Sequence, residues 1–164
     1  MSRAEEILAK AAAYRDETAK ILSELIQIKS YSAQEKDAAM KVKELCESFG
    51  FDEVRIDGLG SVIARIGSGP KKLAIDGHID TVETGDPDQW KRDPFSGDIE
   101  EGIVYGRGTS DQKGGVASMI TAGRILKELG YDEEYSVYFT FTVMEEDCDG
   151  MCWKYLIEEE KFKP

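Results

Sequence analysis

The first thirty residues place apolar side chains at helical spacing. Steps of three and four residues predict one long amphipathic helix with a single apolar face, made of Ile7, Ala11, Tyr14, Thr18, Ile21, Leu25 and Ile28. The alanine and threonine in this face favour a helix on a globular core over a coiled coil. The following SAQE, residues 32–35, resembles a capping box and predicts a second helix that ends near Phe49, before Gly50.

Short runs rich in β-branched residues, separated by turn residues, predict strands. In the first half of the chain these runs are EVRID, SVIARIG and KKLAID. KKLAID alternates least, which predicts a central strand that is buried on both faces. GIVYG predicts a further short strand, and YSVYFTFTVM, residues 135–144, is the strongest strand pattern in the chain.

The remaining segments predict one long loop and two more helices. Residues 79–102 are polar and contain many Gly, Pro and Asp residues, so we expect a surface loop, and loops of this length tend to be functional or disordered. Apolar spacing over 116–129 predicts a helix that ends at Gly130, and GMCWKYLIEEE predicts a last helix. This order of helices and strands predicts an α/β fold in which helices cover both faces of a sheet.

Composition narrows the possible partners of the chain. Its 164 residues, 41% of them hydrophobic, suit one domain over residues 1–164. A net charge of −12 disfavours nucleic acid and anionic membrane surfaces as partners. We find no signal-peptide pattern and no apolar run of membrane-spanning length. The odd, sparse cysteines do not suit a disulfide framework, so the sequence predicts a cytoplasmic protein.

His78, the only histidine in the chain, begins the tripeptide HID at the end of a predicted strand. Alternate residues of a strand point to the same side, so Asp80 can lie beside His78. A carboxylate in that place fixes the tautomer of a metal-binding imidazole. The alternative is a histidine that only packs and forms hydrogen bonds.

A second cluster is GRGTSDQKGG, residues 106–115. It matches neither the phosphate-binding P-loop pattern nor the dinucleotide-binding glycine pattern. What remains is a flexible glycine turn that brings Asp111 to the start of a helix. The alternative is an ordinary helix N-cap formed by Asp111 or Ser110.

The third cluster, MEED, follows the strongest strand. Glu146 could bind a metal ion, and Glu145 could face a metal-bound water as a general base. The alternative is a solvated loop, which the nearby Asp147 and Asp149 favour. Together, one imidazole and several carboxylates at one edge of a sheet suit Zn²⁺ or a similar divalent ion. A bridging carboxylate can hold two ions about 3.5–4 Å apart, so that they share and acidify one water.

Four motifs resemble, in order and spacing, those of the dizinc amidohydrolases and exopeptidases of metallopeptidase family 20. They are GHIDTV, a tryptophan followed by DPFSG, GIVYGRGTSDQKGG and VMEEDCDG. That family includes acetylornithine deacetylase, succinyl-diaminopimelate desuccinylase, aminoacylase, carboxypeptidases and dipeptidases. The resemblance covers almost the whole chain apart from the leading helix. It implies a three-layer helix/sheet/helix catalytic domain of the zinc-exopeptidase type.

The resemblance also implies a role for each residue of the three clusters. His78 would bind one zinc ion, Asp80 would orient its imidazole, and Asp111 would bridge both ions. Glu146 would bind the second ion. Glu145 would be the catalytic base that takes a proton from the bridging water and passes it to the leaving amine.

Other residues of these motifs are implied to shape the site. Those of the loop that would brace it are Trp90, Asp93, Pro94 and Phe95. Tight turns through Gly106, Gly108 and Gly114 would let the backbone approach the metal centre. The implied reaction is metal-assisted hydrolysis of an amide bond in a small molecule, such as an N-acyl amino acid, a dipeptide or a succinylated amine. Zinc is the expected metal, and cobalt or manganese would also fit these ligands.

The resemblance further implies ligands that these residues do not contain. Members of the family continue with another acidic ligand, a lid or dimerisation domain, and a late histidine, so each of the two ions here lacks one protein ligand. We therefore expect an N-terminal portion of a longer catalytic domain that binds metal weakly and has little or no activity. One alternative is a non-catalytic α/β module that self-associates through an open sheet edge. Another is a single-metal site at Cys148 and Cys152, although buried, reduced cysteines suit this spacing better.

Overall fold

A computed structural model of the protein describes residues 2–131, 134–148 and 150–164. Its helices are α1 (Arg3–Ala13), α2 (Arg15–Ile26), α3 (Lys36–Ser48), α4 (Gly114–Glu128), α5 (Glu145–Cys148) and α6 (Met151–Glu158). Its strands are β1 (Glu53–Ile56), β2 (Val62–Ile66), β3 (Lys71–His78), β4 (Ile99–Glu100), β5 (Ile103–Val104) and β6 (Tyr135–Thr142). Within these residues, none of the helices is long and apolar enough to span a membrane.

The main sheet has the strand order β1-β2-β6-β3. β1 and β2 are antiparallel, and β2 is antiparallel to β6, whereas β3 and β6 run parallel. β6 lies inside the sheet and buries most of its side chains, as its strong pattern predicts. β4 and β5 form a separate two-stranded hairpin, so the predicted loop of residues 79–102 ends in a short strand and GIVYG contributes only two strand residues.

Helices cover both faces of this sheet, which confirms the predicted three-layer α/β class. The larger core lies between one face and helices α2, α3 and α4, with Leu25, Val42, Ile120, Phe139 and Phe141 among its buried side chains. On the opposite face, Leu156 of α6 and Phe162 pack against Ile63. The predicted end of α4 is confirmed, because Gly130 has a φ of 64° directly after the cap residue Leu129.

The prediction of one long N-terminal helix is wrong, because the helix breaks at Tyr14. Tyr14 has φ −92° and ψ 5°, and its hydroxyl lies 2.6 Å from Glu128 of α4. The guanidinium of Arg124 lies 4.1 Å from the centre of the Tyr14 ring. These contacts hold Tyr14 against α4, and the apolar spacing alone does not predict the break between α1 and α2.

The predicted capping box at residues 32–35 is also wrong. The cap residue of α3 is Glu35, and no side chain caps the helix. The Ser32 hydroxyl instead donates to Oδ2 of Asp80, 2.7 Å away, and Glu35 accepts backbone hydrogen bonds from outside the helix. Both side chains therefore serve tertiary contacts rather than the helix start.

β3 is an edge strand, contrary to the prediction of a central strand buried on both faces. It pairs with β6 on one side, and no strand among the described residues pairs with its other side. Leu73 and Ile75 are 47% and 39% exposed. A run of apolar residues is compatible with burial, but it does not determine how many neighbours a strand has.

Candidate metal centre

The parallel pairing of β3 with β6 brings two of the predicted clusters together. His78, the last residue of β3, is in register with Thr142, the last residue of β6. The Ile79 N–H continues the pairing with a 2.9 Å bond to the Thr142 carbonyl oxygen. Because parallel strands end at the same edge of a sheet, HID and MEED meet there.

His78 is almost completely buried and uses both ring nitrogens. Nδ1 lies 3.1 Å from the backbone oxygen of Asp80 and 3.4 Å from its Oδ1. Nε2 lies 2.9 Å from Oδ1 of Asp111 and 3.8 Å from Oε2 of Glu145. Asp80 therefore occupies the Nδ1 side, and Nε2 faces the other acidic residues.

The charges around His78 change its protonation. Burial by itself lowers the pKa of His78, but hydrogen bonds to Asp80 and Asp111 and the charge of Asp80 outweigh that effect and raise it to about 9. An imidazole must lose its proton from the coordinating nitrogen to bind a metal ion. A proton and a metal ion would therefore compete for Nε2.

Asp80 is fully buried and connects His78 to the acidic turn after β6. Its Oδ1 accepts a 3.1 Å bond from the Glu145 N–H, and its Oδ2 accepts bonds from the Glu146 N–H and the Ser32 hydroxyl. Burial raises the pKa of Asp80, but the hydrogen bonds from His78, Ser32 and the two N–H groups lower it below its usual value. The ionised carboxylate thus orders both sides of the site.

Asp111 reaches the site from an irregular turn, Thr109–Lys113, that leads into α4. Its φ of −121° and ψ of 101° are not helical, and the cap residue of α4 is Lys113. The alternative of an ordinary N-cap at Asp111 or Ser110 is therefore wrong, because the Asp111 carboxylate faces His78 instead. The Asp111 side chain is 75% exposed, which leaves its second oxygen accessible.

Lys113, the last residue of this turn, ties it to the end of α2. It is 1% exposed, and its Nζ donates to the backbone oxygens of Leu25 and Ile28, at 2.9 and 2.8 Å. Burial lowers the pKa of Lys113 to about 8. The cation therefore joins the turn that carries Asp111 to the carboxyl end of α2.

Two of the three predicted glycines lie in turns. Gly106 and Gly108 have φ values of 149° and 85°, and a Cβ on Gly108 would lie 2.6 Å from Cγ2 of Thr81. Gly114 has helical angles as the first residue of α4, so the prediction of a tight turn there is wrong. A side chain on Gly114 would lie 2.5 Å from the Thr109 oxygen, which explains the glycine by close packing.

The described residues offer one group that could hold a metal ion: His78, Asp111 and Glu146. Their donor atoms all lie within 4.8 Å of one another. Imidazole nitrogen and carboxylate oxygen are zinc ligands, and the Asp80 carboxylate behind His78 is the usual outer partner of such a ligand. Burial and the nearby Asp111 charge raise the pKa of Glu146. The arrangement thus fits a divalent cation, which would offset the repulsion among the carboxylates.

The loop with Trp90 and Asp93 contacts the turn that precedes Asp111. The Pro94 oxygen accepts a 2.7 Å bond from the Arg107 N–H, and the Arg107 guanidinium lies 5.3 Å from the centre of the Trp90 ring. The Asp93 carboxylate accepts a bond from the Phe95 N–H within the loop itself. These contacts fit a bracing role for the loop, and the described structure gives Trp90 and Asp93 no direct contact with His78.

Reasoning from the sequence missed Ser32, Glu35 and Lys113 as parts of the site. Ser32 and Glu35 have the spacing of a local helix cap. Lys113 lies in the polar segment GRGTSDQKGG, whose sequence does not indicate that the lysine is buried. Cys148 and Cys152 are free thiols outside the metal-binding group of the described residues. Burial raises the pKa of Cys152, as suits a reduced thiol. Asp149, which supported the solvated-loop alternative, lies outside the described residues.

The chain is similar in sequence to two longer proteins. An uncharacterized protein, YgeY, of Escherichia coli K12 is 46% identical over 158 residues, which are 96% of this chain and 39% of the relative. A probable succinyl-diaminopimelate desuccinylase of Staphylococcus epidermidis is 32% identical over 130 residues, which are 77% of this chain and 32% of the relative. The chain thus spans about a third to two fifths of the length of these relatives.

A solved structure shows the same architecture. It is an M20 family metallo-carboxypeptidase from Sulfolobus solfataricus, with a TM-score of 0.77 and 28% identity over 90% of this chain and 35% of that one. The family model Peptidase family M20/M25/M40 matches residues 74–164, which include His78, Asp111 and the acidic turn after β6. The chain therefore belongs to peptidase family M20/M25/M40.

Proposed function

We propose that this chain supplies the metal-binding part of a hydrolase that cleaves amide or peptide bonds with the help of zinc. The observation that carries the proposal is the convergence of donor atoms from His78, Asp111 and Glu146 within 4.8 Å. We further propose two ions: His78 and Asp111 would hold the first, and Asp111 and Glu146 would hold the second. Cobalt or manganese would suit the same ligands.

The positions of the side chains support the roles that we propose for them. Bound zinc would acidify a water and polarise the substrate carbonyl. Glu145, with Oε2 3.8 Å from Nε2 of His78, would take a proton from the attacking water and give it to the leaving amine. Asp80 would hold His78 in the tautomer that presents Nε2 and would fix the two glutamates through their N–H groups.

The proposed substrate is a small molecule with an amide bond. The named relatives are a desuccinylase and a carboxypeptidase, which supports an N-acyl amino acid, a succinylated amine or a short peptide. We propose weak metal binding and little turnover for these 164 residues alone, because their one histidine leaves the second ion without a nitrogen ligand. Substantial amidase activity that Glu145→Gln abolishes would contradict this.

A zinc titration by calorimetry tests the proposal. We expect the unaltered chain to bind zinc measurably and His78→Ala to lose this binding. The control Glu83→Gln, at an exposed residue, should bind zinc as the unaltered chain does. The stoichiometry distinguishes one ion from two. Binding that is unchanged in His78→Ala, or no binding at all, would mean that these residues do not form the proposed site.

A second candidate function is self-association through β3. Its outer edge has no partner strand among the described residues, and Leu73 and Ile75 are exposed beside it. A second copy that pairs along β3 would satisfy the free backbone groups and cover both side chains. Sedimentation at high concentration tests this: we expect a dimer that Ile75→Lys dissociates, and a clean monomer would contradict it.

A further inference from the structure

Glu35 is a buried carboxylate that takes no part in the proposed reaction. It is 6% exposed and lies directly before α3. Its Oε1 accepts hydrogen bonds from the Ala33 N–H, at 3.0 Å, and from the Met144 N–H, at 2.9 Å. Met144 is 109 residues away in sequence and directly precedes Glu145. One oxygen therefore joins the segment before α3 to the end of the strand that leads into the metal centre.

Both N–H donors belong to residues with an unusual backbone. Ala33 has a φ of 63° and Met144 has a φ of 56°, in the left-handed region. Residues with a Cβ rarely adopt this region, because the Cβ comes too close to the backbone carbonyl. Such a conformation persists only where the surrounding structure holds it. The shared bonds to Glu35 hold the backbone at both positions.

The conformation of Met144 determines where the next two side chains lie. β6 ends at Thr142, Val143 is buried, and the chain turns at Met144 into α5. The Met144 N–H donates a hydrogen bond to the Glu35 carboxylate, and the N–H groups of Glu145 and Glu146 donate to the Asp80 carboxylate. Three consecutive N–H groups are thus fixed by two buried carboxylates that come from different parts of the chain.

We propose that Glu35 is a positioning residue of the metal centre, which holds the turn at Met144 and thereby aims Glu145 and Glu146 at the pair formed by His78 and Asp111. This inference rests on the proposed function of the site. Glu35 itself touches neither the donor atoms nor the space between them. It acts through the backbone, as Asp80 does for the next two residues.

The test uses the whole 164-residue chain and three variants of Glu35. Glu35→Ala removes the acceptor. Glu35→Asp keeps the charge on a side chain that is too short to reach both N–H groups. Glu35→Gln keeps a carbonyl oxygen in the same place. The matched control is Leu45→Ala, which removes core packing from α3 without touching the turn.

Two measurements separate positioning from general stability. Amide hydrogen exchange, followed by NMR without metal, should speed up about tenfold or more at residues 144–146 in Glu35→Ala and Glu35→Asp, relative to the amides of β6. Zinc affinity, measured by calorimetry, should fall about 10- to 100-fold in the same variants. Glu35→Gln should restore both quantities, and Leu45→Ala should change neither.

The outcomes distinguish this inference from the proposed function. If the unaltered chain binds zinc through His78 and the Ala and Asp variants bind it equally well, only the inference fails. Unchanged exchange at residues 144–146 overturns the inference as well. If the unaltered chain binds no zinc through His78, the proposed function fails and the inference fails with it.

Discussion

Nε2 of His78 and Oδ1 of Asp111 lie 2.9 Å apart, although the two residues are 33 positions apart in sequence. The contact joins the end of β3 to the turn before α4. It places a nitrogen and a carboxylate oxygen where one divalent ion could bind both.

Replacing Asp111 with asparagine should weaken zinc binding by at least about 100-fold. Loss of an outer partner alone typically costs about 10- to 100-fold, and Asp111 offers its oxygen directly. Calorimetry measures the change, with the exposed Asp16→Asn as a control for altered net charge. Equal affinities in Asp111→Asn and in the unaltered chain would exclude Asp111 as a ligand.

Replacing Asp80 with asparagine should lower zinc affinity about 10- to 100-fold, because His78 loses its charged partner. It should also lower the free energy of unfolding by about 1–3 kcal/mol. The asparagine keeps only one acceptor oxygen, so one of the two backbone N–H groups that donate to Asp80 loses its buried partner. The matched control is Asp76→Asn, four residues earlier and within β3, where the carboxylate contacts Thr140 and Trp153. A similar loss of affinity in both variants would argue against a specific role for Asp80.

Gly108→Ala should destabilise the chain more than Gly102→Ala. The two glycines have similar φ values, 85° and 80°, so the backbone cost of about 1–2 kcal/mol is shared. Only the Cβ at position 108 would clash with a neighbour, because it would lie 2.6 Å from Cγ2 of Thr81. Overpacking of this kind typically costs a further ~1–3 kcal/mol. Urea unfolding of both variants gives the difference, and equal midpoints would contradict the close packing of this turn.

Lys113→Met should lower the free energy of unfolding by about 1–3 kcal/mol, because the Leu25 and Ile28 oxygens lose a charged donor. Lys127, near the end of α4, is a suitable control, since it forms a partly exposed ion pair with Asp52. Lys127→Met should cost less than about 1 kcal/mol. Thermal unfolding compares the two, and a larger effect at Lys127 would contradict the anchoring role of Lys113.

Glu128 should contribute stability that depends on pH. Hydrogen bonds from Lys10 and Tyr14, and a further one from Arg124, lower the pKa of Glu128 to about 2. A carboxyl with a lowered pKa contributes stability above its unfolded value near 4.5, and the contribution is lost as the pH falls through about 2. Glu128→Gln should therefore destabilise the chain by roughly 1 kcal/mol at neutral pH.

Urea unfolding from pH 7 to pH 2 checks this sign. The gap between the unaltered chain and Glu128→Gln should stay constant above about pH 5 and close as the pH approaches 2. The exposed control Glu83→Gln should show no such gap. A gap that widens on acidification would mean that Glu128 is not held as an anion by α1.

The sequence predicted most elements correctly where the signal is local. β6 and α4 follow from their own side-chain patterns, and Gly130 marks a helix end because few other residues adopt its φ. His78 and Asp111, which the sequence predicts as metal ligands, lie in short, distinctive segments, and the structure brings them within 2.9 Å of each other. Family membership, expected from those motifs, is confirmed by the match over residues 74–164.

What the sequence did not predict depends on distant partners. Ser32 and Glu35 have the spacing of a helix cap, yet Asp80 and Met144 compete for them from 48 and 109 residues away. Tyr14 has the spacing of a continuous helix, yet its contacts with α4 break that helix. The edge position of β3 is likewise a property of its neighbours, which no pattern within β3 encodes.

The parallel pairing of β3 with β6 has a consequence for the order of folding. Asp80 accepts a hydrogen bond from the N–H of Glu145, which is 65 residues away in sequence. The intervening chain includes the turn that carries Asp111. Contacts of this sequence separation form slowly, because a long loop must close before they contribute. During synthesis, a chain that has emerged only as far as α4 holds His78 and Asp111 without either glutamate. The chain should therefore bind metal only after β6 has joined the sheet. Metal binding would then indicate that this part of the fold has formed.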